Sequence, residues 1–126
     1  MYRYAVMGAG LQGTAAAYDL GLHGRAECIL MIDANASTAE KSAARINTLL
    51  KRHIAYGIVM DAQDASLRRL LEVFRPHALI SAMHYRLNMD MTCLAVEVGS
   101  HMVDLGGNTN IVRRQHAYDS VARKHG

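Results

Sequence analysis

The chain has 126 residues, of which 51% are hydrophobic, 20% charged and 6% aromatic, with a formal net charge of +3. This is the balance of one globular, soluble domain, able to bury about two-thirds of the surface its unfolded chain exposes. No apolar run approaches the ~20 residues of a membrane span, and the basic residues are scattered rather than striped among stacking rings, so neither a membrane nor a nucleic acid is an expected partner.

The first predicted element is a short apolar strand over 3–7. Gly8, Gly10 and Gly13 follow it in the spacing G-x-G-x-x-G. In that pattern Gly8 allows the tight turn off the strand, Gly10 lets a pyrophosphate approach the backbone, and Gly13 lets the next helix lie close on the sheet. That helix starts near Leu11 or Gln12 and runs to residue 23, closed by Gly24. Its free N–H groups and positive dipole end face the phosphates. A second apolar strand over 28–32 ends at Asp33, about 20 residues beyond Gly13, where a carboxylate can accept hydrogen bonds from an adenosine ribose. Strand, turn, helix, strand and acid in this order imply a dinucleotide-binding unit.

The remainder of the chain continues the alternation. A helix from Ser37 or Thr38 as N-cap to about Arg52 puts Ala39, Ala43, Ile46 and Leu50 on one face. A strand from Ile54 to Met60 ends at Asp61. The next helix starts near Asp64, carries an apolar stripe of Leu67, Leu70, Leu71 and Phe74, and is stopped by Pro76. A strand over 78–82 is followed by a helix over 87–98, with Leu87, Met91, Leu94 and Val98 inward and Gly99 just past its end. A fifth strand covers 101–105. A single last helix over 111–124 has Ile111, Gln115, Tyr118 and Ala122 on one face. Five such alternations predict one α/β domain over 1–126: a doubly wound parallel sheet in the order 3-2-1-4-5, with helices on both faces. A nucleotide would sit at the carboxyl edge, where the order reverses between the first and fourth strands.

Residues just after each strand are therefore the candidate site. Asp33, Ala34 and Asn35 follow the second strand. A carboxylate there suits a ribose 2′-hydroxyl and repels a 2′-phosphate, and no arginine follows immediately, so NAD is favoured over NADP. Asp61 follows the third strand; it either accepts from the adenine amine or caps the next helix. Met83, His84 and Tyr85 follow the fourth, and there a solvent-facing loop histidine is the better reading of His84 than a catalytic base. The other histidines have no paired ligand spacing, so no metal site is expected, and Cys28 and Cys93 read as reduced thiols of a cytoplasmic protein. No basic start runs into a long apolar segment, so no secretory leader is expected either.

The stretch Gly8-Ala9-Gly10-Leu11-Gln12-Gly13-Thr14-Ala15-Ala16-Ala17-Tyr18-Asp19-Leu20 resembles the opening of saccharopine dehydrogenases and related lysine dehydrogenases. So do Ala78-Leu79-Ile80-Ser81-Ala82-Met83-His84-Tyr85 and, most specifically, Val103-Asp104-Leu105-Gly106-Gly107-Asn108-Thr109. The resemblance covers nearly the whole chain. It implies that Gly8, Gly10, Leu11, Gln12 and Gly13 hold the pyrophosphate, that Asp33 holds the ribose, and that Asp61 and Ala62 flank the adenine. Ala82, Met83, Tyr85 and the Asp104–Gly107 turn, Gly106 included, would border the nicotinamide half. Met83-His84 stands where relatives often have a proline-containing turn.

The resemblance also implies a second domain that binds an amino-acid substrate and supplies acid/base groups; no catalytic residue is assigned within this chain. The expected function is therefore cofactor binding without turnover, in an oxidoreductase acting on C–N bonds of amino acids. A stand-alone nucleotide-sensing module is the alternative, and a methyltransferase binding S-adenosylmethionine a more distant one. An apolar flank left by the absent domain predicts self-association.

Overall fold

The computed structural model describes residues 1–126. Five strands, β1 (Tyr2–Met7), β2 (Ala26–Asp33), β3 (Ala55–Val59), β4 (Ala78–Ser81) and β5 (His101–Asp104), form one sheet in the order β3-β2-β1-β4-β5. All four pairings are parallel. The crossovers are α1 (Leu11–His23), α2 (Ala36–Leu50), α3 (Ser66–Phe74) and α4 (Asn88–Val98), and α5 (Thr109–Ala117) and α6 (Asp119–His125) follow β5. The α/β fold and strand order expected from the alternation are those observed.

The strands are apolar almost throughout because both faces are covered. Period-two alternation divides them between two cores. Val6, Ile29 and Met31 face α1 and α2, meeting Ala17, Ala43 and Ile46. Ala5, Met7, Leu30 and Ile32 face the opposite way and pack on Leu67 and Leu71 of α3 and Met91 and Ala95 of α4. In the register, Met7 lies beside both Ile32 and Ser81, so the ends of β2, β1 and β4 are level. That level edge is where the loops converge.

Most boundaries shift by one or two residues, and three differences have a clear local cause. The cap of α2 is Asn35, not Ser37 or Thr38, because the Asn35 Oδ1 accepts from the Thr38 N–H at 2.9 Å. Strand β5 ends at Asp104, whose carboxylate accepts from the Gly106 N–H at 2.7 Å and folds the chain into a turn. The last helix is two helices. At Tyr118 the N–H bonds back three residues to Gln115, and the Tyr118 carbonyl starts α6 by accepting from Val121 and Ala122. The break lets both pieces rest against α4.

Cys28, in β2, is half-buried, and burial with help from neighbouring Glu27 pushes its thiol up, against a smaller opposing effect of Arg3. The fold thus favours the neutral thiol. That contribution is full below the unfolded thiol value of about 8.5 and is lost as pH rises past it. Iodoacetamide at mildly alkaline pH is expected to modify Cys28 several-fold more slowly in the native chain than in urea; equal rates would show that burial does not protect it.

Candidate functional site

The loop from Gly8 to Gly13 leaves β1 with Gly8 at φ +94°, and a Cβ on Gly8 would stand 2.6 Å from the Ala82 carbonyl oxygen. A Cβ on Gly13 would overlap the carbonyl oxygen of Gly8, so α1 enters directly over the turn. Gly10 is different: its φ is an ordinary −73°, and a Cβ there would meet no protein atom within 4 Å. The protein itself imposes no need for glycine at that position. What a side chain would fill is the space above the N-terminus of α1.

That N-terminus is open. Gly10 offers no side-chain cap, and no acidic residue lies in the first turn. The N–H groups of Leu11, Gln12 and Gly13 precede the first intrahelical donor, the Thr14 N–H that bonds to the Gly10 carbonyl, and stand at the positive end of the helix dipole. Leu11 is 89% exposed and shields none of it. The arrangement fits a bound phosphate or pyrophosphate.

Asp33 stands beside the loop at the end of β2. Its Oδ2 accepts from the Ala9 N–H at 2.9 Å and its Oδ1 from the Asn35 N–H at 2.9 Å. A carboxylate has about four lone-pair positions, so two remain to accept hydroxyl groups. The same contacts tie the glycine loop to β2 before any ligand arrives. Local capping and ligand binding are thus compatible roles for Asp33.

A cavity of ≈ 220 Å³ opens here, lined by Gly8, Asp33, Ala34, Asp61, Ala62 and Met83. These expected site residues come from four separate loops. Ala82 touches the same place through its carbonyl against Gly8. Gly10 and Leu11 lie on the other side of the loop, at the mouth of a groove between α1 and α2. Gln12 and Gly13 belong to the first turn of α1, whereas Tyr85 and Gly106 lie outside this cavity, toward β5. Asp61 also caps its own loop, since its Oδ1 accepts from the Gln63 N–H at 2.8 Å.

Six cavity residues were not among the expected site residues: Met7 and Ile32 at the strand ends, and Met60, Gln63, Arg86 and Leu87. Met60 and Gln63 flank the Asp61–Ala62 pair and could have been found by widening the window after β3. Arg86 and Leu87 sit in a 3₁₀ turn, Tyr85–Leu87, that carried no sequence signal. Arg86 brings a cation, with no acidic partner, to a cavity that otherwise carries Asp33 and Asp61. His84 caps that turn, its Nδ1 accepting from the Arg86 N–H at 3.3 Å, and its ring lies against Tyr85. The residue is exposed in the loop after β4. No cluster of three His, Cys, Asp or Glu is placed to hold a metal ion.

Beside the cavity, the Asp104–Gly107 turn is held by a closed circuit of hydrogen bonds. Asp104 accepts from Gly106 N–H and from Gln115 Nε2, the latter at 2.6 Å. Gln115 also reaches Thr92, whose hydroxyl donates to the Asn88 carbonyl. Asn88 accepts from Ser81 Oγ at 3.0 Å and donates to the Gly106 carbonyl at 3.4 Å. No buried side-chain polar atom lacks a partner. The Asp104 carboxylate is thereby committed to shaping the turn.

The family model described as saccharopine dehydrogenase NADP binding domain matches residues 4–126. The chain belongs to this family. It is an NAD(P)-binding Rossmann domain of the saccharopine dehydrogenase family, and similar solved structures agree in fold. Saccharopine dehydrogenase (L-Glu forming) from Saccharomyces cerevisiae superposes with TM-score 0.69 at 14% identity, over 90% of this chain and 24% of that one. The WlbA (WbpB) dehydrogenase from Thermus thermophilus, in complex with NAD and UDP-GlcNAcA, gives 0.69 at 14% identity, over 97% and 39%. A probable dehydrogenase from Thermotoga maritima gives 0.65 at 19%, over 96% and 34%. The chain thus spans between a quarter and two-fifths of the length of these structures.

For a saccharopine dehydrogenase-family domain, the empty surroundings of Gly10 make a direct prediction. Gly10→Ala is expected to leave thermal stability unchanged or slightly raised, since it lowers unfolded-chain entropy without a clash. If the pyrophosphate approaches the open space above Gly10, the added methyl would weaken NADH binding at least about tenfold. Calorimetric titration alongside a melting curve checks both halves. Unchanged NADH affinity would mean that the phosphates sit elsewhere.

Proposed function

We propose that this chain is the NAD(H)-binding lobe of an oxidoreductase that acts on C–N bonds of amino acids. The observation that carries the cofactor reading is Asp33, held at the cavity edge by the Ala9 and Asn35 N–H groups with two acceptor positions free. A fixed carboxylate suits the two ribose hydroxyls and opposes a 2′-phosphate, which favours NAD over NADP. Gly8, Gly10, Leu11, Gln12 and Gly13 would hold the pyrophosphate. Asp33 and Ala34 would hold the ribose, and Asp61 and Ala62 would flank the adenine. Ala82, Met83, Tyr85 and Gly106 would border the nicotinamide half. A bound nicotinamide supplies hydride transfer. Acid/base groups and the amino-acid pocket would come from a further domain or partner, so the lobe alone binds without turnover.

The supports for the C–N assignment are family membership and the Asp104–Gly107 turn. Titration of the chain with NADH, NADPH and S-adenosylmethionine tests the reading. Preferential NADH binding is expected. Binding of S-adenosylmethionine alone would overturn it.

The free edge of β5 and the turn that follows it carry Val103 and Leu105, 61% and 55% exposed. A covering partner, either the substrate domain or a second copy, would sit there. Light scattering is expected to show concentration-dependent association, and a monomer at high concentration would remove the second-copy version.

A further inference from the structure

We infer that Asn88 is a positioning residue for the nicotinamide half of the site, pinning the glycine turn after β5 to the end of β4. The inference rests on the dinucleotide reading above. Ser81, the last residue of β4, and Asn88, the first of α4, are 0% and 2% exposed. An amide buried this deeply is costly unless its polar atoms are matched. Here they are: the Ser81 hydroxyl meets Oδ1 at 3.0 Å, and Nδ2 meets the Gly106 carbonyl at 3.4 Å. One planar group therefore sets the spacing between two adjacent strand ends.

What that spacing controls is a wall. Gly107, at φ +111°, lies so close to Tyr85 that an added Cβ would come within 3.3 Å of the Tyr85 Cβ. Tyr85 comes from the loop after β4 and Gly107 from the turn after β5, so the two loops meet only if the strand ends are held in step. The adenosine side, built on Asp33 and Asp61, lies at the ends of β2 and β3 and has no bond to Asn88. Asn88 thus acts on one half of an extended ligand and leaves the other alone.

The test separates the halves by using NADH as the whole ligand and ADP as the adenosine half, with calorimetric titration of the full chain. The Ser81→Ala/Asn88→Leu variant removes both buried side-chain polar groups together, and the Gly106 carbonyl it releases lies in a half-buried turn rather than in the core. Its NADH affinity is expected to fall about tenfold while ADP affinity stays within about twofold. Ser81→Ala alone, which takes the donor from the Asn88 Oδ1 and frees the amide plane while keeping its bond to Gly106, is expected to show a smaller NADH-selective loss of about threefold, and it carries the test if the double variant does not fold. Equal losses for both ligands, or no NADH loss in folded protein, overturn the inference. If the unaltered chain binds ADP but gains nothing from the nicotinamide half, the inference fails and the adenosine reading stands. If it binds neither, the dinucleotide reading itself fails.

Discussion

Gly13→Ala is expected to destabilise the domain by at least about 3 kcal/mol, lowering the melting temperature by about 10 °C or more. The reason is backbone meeting backbone. The added Cβ would overlap the carbonyl oxygen of Gly8, and its next neighbours are the Gly8 carbonyl carbon and the buried Val6 side chain. Neither side can yield. Gly8 is fixed by its N–H bond to the Ile32 carbonyl at 2.8 Å, and α1 is fixed through Ala17, which is fully buried against the sheet. Moving α1 outward would open the core formed with Val6, Ile29 and Ile46. A domain of this kind is stable by only about 5–15 kcal/mol, so the loss is a large share of the total. Circular dichroism melts of Gly13→Ala beside Gly10→Ala make the comparison. Equal stability of the two variants would show that α1 can slide and that the close approach is not a constraint.

Asp33→Arg is expected to weaken NADH binding by about 100-fold and to shift the preference toward NADPH. At the proposed ribose site two hydroxyl-to-carboxylate bonds would be lost, each worth about 1.5–3 kcal/mol, and the lower figures already reach that factor. The guanidinium offers a 2′-phosphate the pairing that the carboxylate opposes. A second effect follows from the free chain. Without the carboxylate, the Ala9 and Asn35 N–H groups lose their partners, so the glycine loop is no longer tied to β2. A stability loss of about 1 kcal/mol accompanies the change. Titration of the variant with NADH and NADPH checks both, and an NADH affinity within twofold of the unaltered chain would remove Asp33 from the ribose site.

Much of the fold was legible because its signals are local. The stripe Leu67, Leu70, Leu71 and Phe74 marks a helix by its own spacing, and Pro76 ends it whatever surrounds it. Gly8, Gly10 and Gly13 announce a turn onto a helix within six residues. The glycine spacing does not separate their reasons. Only the packed structure shows that Gly8 and Gly13 are required by the protein, whereas the space around Gly10 is left open. The break at Tyr118 was hidden for a related reason: Ile111, Gln115, Tyr118 and Ala122 keep a continuous helical face, and contact with α4 decides where it bends.

Alternating strands and helices, two-faced burial and an acid after the second strand follow from the sequence by itself. Each depends on backbone preference and side-chain period over about ten residues. The convergence of Asp33, Asp61 and Arg86 on one cavity depends on strand order, which brings distant loops to one edge. The circuit through Ser81, Asn88, Gly106, Asp104 and Gln115 depends on it further, because each hydrogen bond there must match the actual spacing of neighbouring elements. Side-chain period can name which residues face inward. Which polar groups meet once they are there is decided by tertiary packing, since a buried donor is stable only where the fold has placed its acceptor.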